Sequence, residues 1–221
     1  MSGAPWGISS VGRAPALHAG GQRFESAILH MKYSIYDNIF SDEIRTYLQE
    51  LALSEAYVNM HYPNGYRASD FDVSGGPKID KRVLEEIRKK VPVLKGLKYI
   101  RSWSFVYNSQ CNGVDPHADP SLYNLNVWVT PDESVEDWNK NGLRIYEKDR
   151  GDLTHYDYNA NGALIKELIH NSDWEVVPYK CNRGVLFPGK LFHATDKVHM
   201  KPGDHNRRIN YTFLFEPYHT Y

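Results

Sequence analysis

His117 and Asp119 are the residues whose types and spacing could do chemistry, and His193 follows far downstream. In an extended chain the side chains alternate between two faces, so residues two apart point the same way. The imidazole of His117 and the carboxylate of Asp119 can therefore reach one metal ion together. His193 would add a second imidazole, and two imidazoles with one carboxylate suit Fe(II) while leaving coordination positions open. The spacing predicts a metal site built from these three residues.

A second His-x-Asp pair, His155 and Asp157, is the alternative source of the first two ligands. It lies in a turn-rich stretch that no strand pattern follows. It also leaves little chain for the strands that must fold back before a third ligand arrives. We therefore favour the earlier pair, and we keep His199 as the alternative to His193.

Composition and net charge limit which classes of protein this chain can belong to. The 221 residues are enough for one domain, or one domain with a tail, and 41% hydrophobic and 24% charged residues are ordinary for a globular chain. The formal net charge of -1 creates no field that would attract nucleic acid or a membrane surface. Nucleic acid is therefore disfavoured as a partner, and no membrane partner is expected.

The two cysteines, Cys111 and Cys181, lack the C-x-x-C spacing of a thiolate zinc site. We expect free thiols in a reducing cytosol rather than a disulfide. No apolar run has the length of a membrane span, and the charged and apolar regions of a signal peptide are missing. The expected compartment is the cytoplasm.

Residues 1–30 show neither helical nor strand periodicity, and we interpret them as a non-native or flexible N-terminal extension. The segment Arg23-Phe-Glu-Ser26 can be encoded by a string that contains the T-arm consensus of a tRNA gene. This suggests that the native start is Met31. We expect residues 31–221 to form a single domain.

Two amphipathic helices and several strands are predicted from periodicity. The first helix, 41–54, begins at an N-cap serine with two acidic residues in its first turn, and the second covers 80–91. From Tyr99 to Tyr107 the pattern has period two, which is typical of a strand. Further strands are expected at 122–130, 143–146, 174–177, 184–188 and 207–215. Several strands without long helices between them indicate an antiparallel sandwich or barrel, with the two helices on an outer face.

Two segments that interrupt this pattern could set specificity. Residues 59–76 mix aromatic residues with Pro and Gly, so they are either a substrate lid or an ordinary surface loop. Residues 147–172 form a long insert between two strands, with a helix expected near 163–169.

The order of these residues resembles the 2-oxoglutarate/Fe(II)-dependent dioxygenases, closest to the prolyl-4-hydroxylase-like branch. The resemblance covers Tyr99 to Phe215, about half of the chain. It rests, in order, on Tyr107, His117-Ala-Asp119, Gly142-Leu-Arg-Ile-Tyr146, Gly184-Val-Leu-Phe-Pro, His193 and Arg208.

The resemblance implies a fold and an activity. The fold would be mainly β within an α+β class, a double-stranded β-helix or jelly roll with the N-terminal helices packed on an outer face. The activity would be hydroxylation of a substrate, with conversion of 2-oxoglutarate to succinate and CO2. Fe(II), 2-oxoglutarate and O2 would be required, and ascorbate stays open as an added reductant.

The far carboxylate of 2-oxoglutarate needs a cation in the barrel, and the planar fork of arginine gives two parallel charge-assisted bonds. Arg208 is the candidate, since Asn210 and Thr212 share its strand face. A register slip of one residue would put Arg207 in its place. The resemblance implies that Tyr107 also contacts the cosubstrate.

Asn126 and Trp128, on the strand after the metal loop, are further candidates for the cosubstrate pocket. The alternative is an ordinary strand asparagine and a core tryptophan.

The prime substrate is open between a peptidyl proline, which the resemblance suggests, and a small molecule such as a free amino acid or another metabolite. A nucleobase is disfavoured by the charge balance. One rival is a cupin-type metal enzyme that does not use 2-oxoglutarate. The other is a non-catalytic jelly-roll binding or sensor domain, because a fold alone does not establish activity.

Overall fold

The computed structural model describes residues 32–218. The extension predicted for residues 1–30 lies outside the described residues. Within the described part of the chain, no helix has the length and apolar character needed to cross a membrane.

The larger sheet of the described residues has seven antiparallel strands. Long strands rich in aromatic and β-branched residues lie at its centre, where burial on both faces favours them. Numbered in chain order and given in spatial order, its strands are β1 (Ser34–Asp37), β9 (Arg183–Pro188), β6 (Tyr123–Trp128), β12 (Ile209–Pro217), β4 (Leu97–Tyr107), β3 (Tyr66–Phe71) and β2 (Met60–Tyr62).

Two smaller sheets complete the β structure. One is formed by β10 (Leu191–Thr195), β7 (Leu143–Asp149) and β8 (Trp174–Val177), and the other by β11 (Val198–His199) and β5 (Gln110–Cys111). Side chains from the larger sheet and from the β10–β7–β8 sheet meet in one buried core, as in a double-stranded β-helix. The predicted fold class is confirmed.

One helix lies on the larger sheet, and a second helix lies beside the first. Helix α1 (Asp42–Leu53) is capped by Ser41, whose side chain accepts from the backbone N–H of Ile44, and α2 (Lys81–Lys90) is capped by Asp80. The hydroxyl of Tyr211 on β12 donates to the backbone carbonyl of Leu48 at 2.7 Å, which fixes α1 on the sheet. Both helices therefore lie where the periodicity placed them.

The segment 59–76 differs from its prediction as a loop. Its residues form the hairpin of β2 and β3, and β3 pairs with β4 so that the hairpin extends the larger sheet. Gly65 has a φ of 91°, which a turn of this kind requires and which glycine adopts without strain. The Pro and Gly residues thus mark the hairpin turn and the chain after the strand, not a structureless lid.

The insert 147–172 contains the end of β7 and two helices, α3 (His155–Asn159) and α4 (Gly162–Ile169). The sequence predicted α4 but not α3, nor the short strands β1, β5, β10 and β11. Runs of two to five residues are too short for alternation to separate them from loops. Short 3-10 turns lie at Glu55–Tyr57, Pro92–Gly96, Asp132–Ser134 and Asp204–Asn206.

Candidate active site

The structure brings His117, Asp119 and His193 together at one point of the barrel interior. One ligand atom from each residue lies within 4.8 Å of the other two, and His193 Nε2 is 3.3 Å from Asp119 Oδ2. Asp119 and His193 are buried, with 2% and 5% exposure, whereas His117 is half-buried and borders a cavity. A metal ion held here would be enclosed on the protein side and open on the cavity side.

Backbone hydrogen bonds hold the three residues in place. His117 and His193 exchange both of their backbone bonds, with N–H to carbonyl distances of 3.0 and 2.8 Å. The N–H of Asp119 donates to the carbonyl of Gly189, in the turn between β9 and β10, at 2.8 Å. The loop with the first two ligands is therefore bonded to the strand with the third.

The two imidazoles are oriented as a metal site needs. Nδ1 of His117 is 2.8 Å from the carbonyl of Asp115, and Nδ1 of His193 is 3.0 Å from the carbonyl of Leu191. A carbonyl only accepts, so each Nδ1 carries a proton, and each Nε2 is left as the ring nitrogen that can bind a metal ion. A donor set of two imidazoles and one carboxylate fits Fe(II).

Burial and neighbouring charges favour the ligating protonation states. Burial, together with the nearby His193, lowers the pKa of His117, so this imidazole stays neutral. Burial alone would raise the pKa of Asp119, but the hydrogen bond and charge of His193 and the donor from Asn124 outweigh it and lower that pKa. Asp119 is therefore a carboxylate.

The cosubstrate candidates form a second polar patch on the interior face of the larger sheet. Asn210 on β12 is paired with Trp128 on β6, and Thr212 is paired with Asn126. Asn126 Nδ2 donates to Thr212 Oγ1 at 3.1 Å. The indole N–H of Trp128 and the Oδ1 of Asn126 are buried without a hydrogen-bond partner. Buried polar atoms are nearly always bonded, so these two are suited to meet a ligand.

Arg208 is fully buried in the same patch. Its Nε donates to the carbonyl of Asn141 and its Nη1 to Asn210 Oδ1, both at 2.9 Å. The guanidinium carbon lies 4.8 Å from the ring centre of Tyr107 and 5.6 Å from that of Trp128. Among the ion pairs of residues 32–218 Arg208 takes no part, so its charge is met only by neutral oxygens and aromatic faces. A buried cation without a carboxylate is costly, and a ligand anion would offset that cost.

Tyr107 lies beside Arg208 and is fully buried. Its hydroxyl is 3.0 Å from Thr195 Oγ1, and burial raises the pKa of Tyr107, so the phenol stays neutral. It can therefore act as a hydrogen-bond donor to an anion held by Arg208.

Arg207 lies on the other side of the strand start. Its Nη2 forms an ion pair with Asp204 at 3.0 Å, and its side chain is 29% exposed. The structure thus places Arg208 inside the barrel and Arg207 at the surface. The apolar face of β12 packs into the core through Ile209, Tyr211, Phe213 and Phe215.

A cavity of about 460 Å³ opens next to His117 and Asp119. The β2–β3 hairpin, strand β4 and the α3–α4 insert all contribute to its walls, so both segments singled out for specificity border it. The walls carry aromatic residues and polar groups of both charges. The aromatic lining residues include Tyr62, Tyr66, Trp103 and Phe105, and the polar ones include Asp70, Arg101, Asp115, His155 and Asn159.

The alternative ligands are not part of the cluster. His155 borders the cavity, but Asp157 is turned to Thr154 and Asn161. His199 lies with Gln110 and Glu136.

Sequence reasoning missed several residues that shape the site. The carbonyl of Asn141 and the hydroxyl of Thr195 hold Arg208 and Tyr107, but a backbone carbonyl leaves no signal in the sequence. Ser121 and Asn124 support Asp119. Asn124 could have been found, because it lies two residues before Asn126 and so shares its strand face.

Fold and site define a class: a double-stranded β-helix whose interior holds two histidines, a carboxylate and a buried arginine. No family model matches the sequence, and no curated protein matches it either. Solved structures match at low identity, and we describe three of them.

The non-heme alpha-ketoglutarate-dependent carbocyclase SnoK from nogalamycin biosynthesis has a TM-score of 0.60 and 11% identity, over 90% of this chain and 84% of its own. HygX from Streptomyces hygroscopicus, with nickel and 2-oxoglutarate bound, has a TM-score of 0.55 and 10% identity, over 90% and 88%. A Pseudomonas putida prolyl-4-hydroxylase has a TM-score of 0.51 and 10% identity, over 90% and 99%. This chain has the fold that these proteins share.

Proposed function

We propose that this chain is an Fe(II)- and 2-oxoglutarate-dependent dioxygenase that hydroxylates an unidentified substrate. One observation carries the proposal. The barrel interior holds the His117, Asp119 and His193 cluster together with Arg208, a buried cation without an acidic partner among the described residues.

His117, Asp119 and His193 would hold the metal. When bound, Fe(II) with 2-oxoglutarate and O2 supplies the oxidising chemistry, in which 2-oxoglutarate becomes succinate and CO2. The protein supplies ligation and orientation. Its backbone bridge between His117 and His193 sets the ligands before the metal arrives, which favours binding since little reorganisation is needed.

Arg208 would bind the far carboxylate of 2-oxoglutarate. The phenol of Tyr107 and the unpartnered indole N–H of Trp128 would add neutral donors. These fixed donors would take the place of the water molecules that solvate the carboxylate outside the protein. Asn126, Asn210 and Thr212 would orient these donors and fill the remaining wall. O2 would enter from the open cavity side.

The prime substrate would occupy the cavity beside His117. Its polar and aromatic walls fit a polar molecule with a flat apolar face, which describes both a peptidyl proline with its amide groups and a polar small molecule. Among the similar structures there is a prolyl-4-hydroxylase, and HygX has also been solved with hygromycin B bound. Both substrate types therefore stay in the proposal. Cys111 and Cys181 are free, in keeping with a proposed cytoplasmic location.

The two rivals differ from this proposal in what Arg208 does. A cupin-type enzyme that does not use 2-oxoglutarate, or a non-catalytic binding domain, has no need of an unpaired buried cation in the barrel interior. Release of CO2 from 2-oxoglutarate that requires added Fe(II) and is lost in Asp119→Ala would support the dioxygenase. The same release from an Asp119→Ala protein, or none from the wild type with iron and a broad set of substrates, would contradict it.

A further inference from the structure

Asn124 is a buried residue that contacts Asp119 and does not border the cavity. It lies on β6 with 0% exposure, and its Nδ2 donates to Asp119 Oδ2 at 2.6 Å. The other end of its amide accepts from the hydroxyl of Ser121 at 2.5 Å. Ser121, Asn124 and Asp119 therefore form a chain of hydrogen bonds that ends on the carboxylate.

The direction of the bonds in this chain is fixed by Asp119. Its carboxylate only accepts, so the Asn124 amide must turn its NH2 group toward Asp119. If the amide were reversed, an oxygen would face the carboxylate. The Ser121 hydroxyl then donates to Oδ1 of Asn124 and holds the other end of the amide in place.

Gly189 lies next to these three residues and bonds the backbone on both sides of Ser121. Its carbonyl accepts from the N–H of Asp119, and its own N–H donates to the carbonyl of Leu122. A Cβ at position 189 would lie 2.2 Å from Ser121 Oγ and 2.6 Å from the carbonyl oxygen of Ser121. Only glycine lets the β9–β10 turn approach Ser121 this closely without displacement.

We propose that Asn124, anchored by Ser121, is a positioning residue for the metal ligand Asp119. Its hydrogen bond occupies part of the lone-pair capacity of Oδ2 and fixes the plane of the carboxylate. With its plane fixed, the carboxylate presents one geometry to a metal ion that His193 Nε2 would also bind. The inference rests on the proposed metal site and adds to it how one ligand is aimed.

Outer-shell partners of metal ligands affect affinity strongly, and their loss costs about 10-fold to 100-fold in metal binding. Asn124→Ala should therefore weaken binding of Co²⁺ by about 10-fold to 100-fold, and change its visible absorption spectrum through altered ligation. Ser121→Ala leaves Asn124 in place but frees its amide to turn, so a smaller loss in the same direction is expected.

The matched control is Asn182→Ala. Asn182 is also a buried asparagine, but its amide bonds both backbone groups of Phe40 and none of the three clustered residues. Asn182→Ala should lower the melting temperature and leave the Co²⁺ affinity and spectrum unchanged. This separates loss of fold stability from loss of ligand positioning.

The test is calorimetric titration of Co²⁺ into the folded full-length protein without 2-oxoglutarate, with the visible spectrum recorded in parallel. Weaker binding and a changed spectrum in Asn124→Ala, with Asn182→Ala like the wild type, would support the inference. Unchanged affinity in Asn124→Ala would overturn it, and if that variant does not fold, unchanged affinity in Ser121→Ala would do so. Absence of metal binding in the wild type is a different result, since it contradicts the proposed function itself.

Discussion

His117 and His193 exchange two backbone hydrogen bonds, at 3.0 and 2.8 Å, so that a ligand from the loop before β6 and a ligand from β10 face one point. Their ring centres are 4.4 Å apart. Because the backbone rather than the side chains makes this link, the imidazoles keep their Nε2 atoms for another partner. The site is thus assembled by the same bonds that join the metal loop to the smaller sheet.

The first prediction concerns the two adjacent arginines. Arg208→Ala should weaken 2-oxoglutarate binding by about 2 to 5 kcal/mol, at least about 30-fold in Kd, because it removes one partner of a buried charge pair. Arg207→Ala is the matched control and should leave the Kd unchanged, since Arg207 pairs with Asp204 at the surface. Calorimetric titration of 2-oxoglutarate into the metal-loaded protein measures both. If Arg207→Ala lost affinity and Arg208→Ala did not, the assignment of the cosubstrate arginine would be wrong.

The second prediction concerns the glycine in the β9–β10 turn. Gly189→Ala should lower the free energy of unfolding by about 1 to 3 kcal/mol, because its Cβ would overlap the backbone oxygen of Ser121. It should also weaken metal binding, since the turn carries the carbonyl that holds Asp119. Urea denaturation and Co²⁺ titration measure the two effects.

Gly96→Ala is the control for that substitution. Nothing lies within 4 Å of a Cβ placed at position 96. The change should therefore leave metal binding unaltered, and the free energy of unfolding should stay the same or rise slightly. A Gly189→Ala protein as stable as Gly96→Ala would show that the close approach to Ser121 is not required.

The third prediction is a pH dependence of stability. The hydrogen bond from Arg183 on β9, with help from Lys180 and against the effect of burial, lowers the pKa of Asp37 from 3.8 to about 2. The unfolded chain takes up this proton near pH 3.8, but the folded protein does so only near pH 2. Asp37 therefore stabilises the fold above pH 3.8, and its contribution is lost as the pH falls toward 2.

Asp37→Asn removes that contribution. The difference in free energy of unfolding between wild type and variant should be largest at neutral pH and should narrow as the pH falls from 3.8 to about 2. Asp204→Asn is the control, because the Asp204 side chain is 80% exposed and contributes little. A difference that stays constant with pH would contradict the role given to the pair of Asp37 and Arg183.

Much of the fold followed from periodicity because the long elements are regular. Strand β4 and the caps of α1 and α2 show in the sequence as alternation and as Ser41 and Asp80. The hairpin at 60–71 did not, because its strands are short and its Pro and Gly residues resemble a loop. Strand β10, which carries His193, has five residues, and its pairing with β7 shifts register before His193.

The sequence predicted the residues of the site but not the contacts that orient them. Side-chain types and alternation pointed to His117, Asp119 and His193, and to the strand face of Arg208. The contacts that orient them are backbone carbonyls of Asn141 and Leu191, and these exist only once distant strands meet. Sequence patterns report which side chains share a face, but not which carbonyl from another strand lies opposite them.

The measurement that tests the central claim most directly is titration of the anaerobic, metal-free protein with Fe(II) and then with 2-oxoglutarate, followed in the visible spectrum. We expect the weak charge-transfer band of the iron and 2-oxoglutarate chelate to appear in the wild type. It should be absent in His117→Ala and retained in His199→Ala, whose histidine lies outside the cluster. Iron binding without the band would contradict a role for 2-oxoglutarate, and absence of iron binding would contradict the metal site itself.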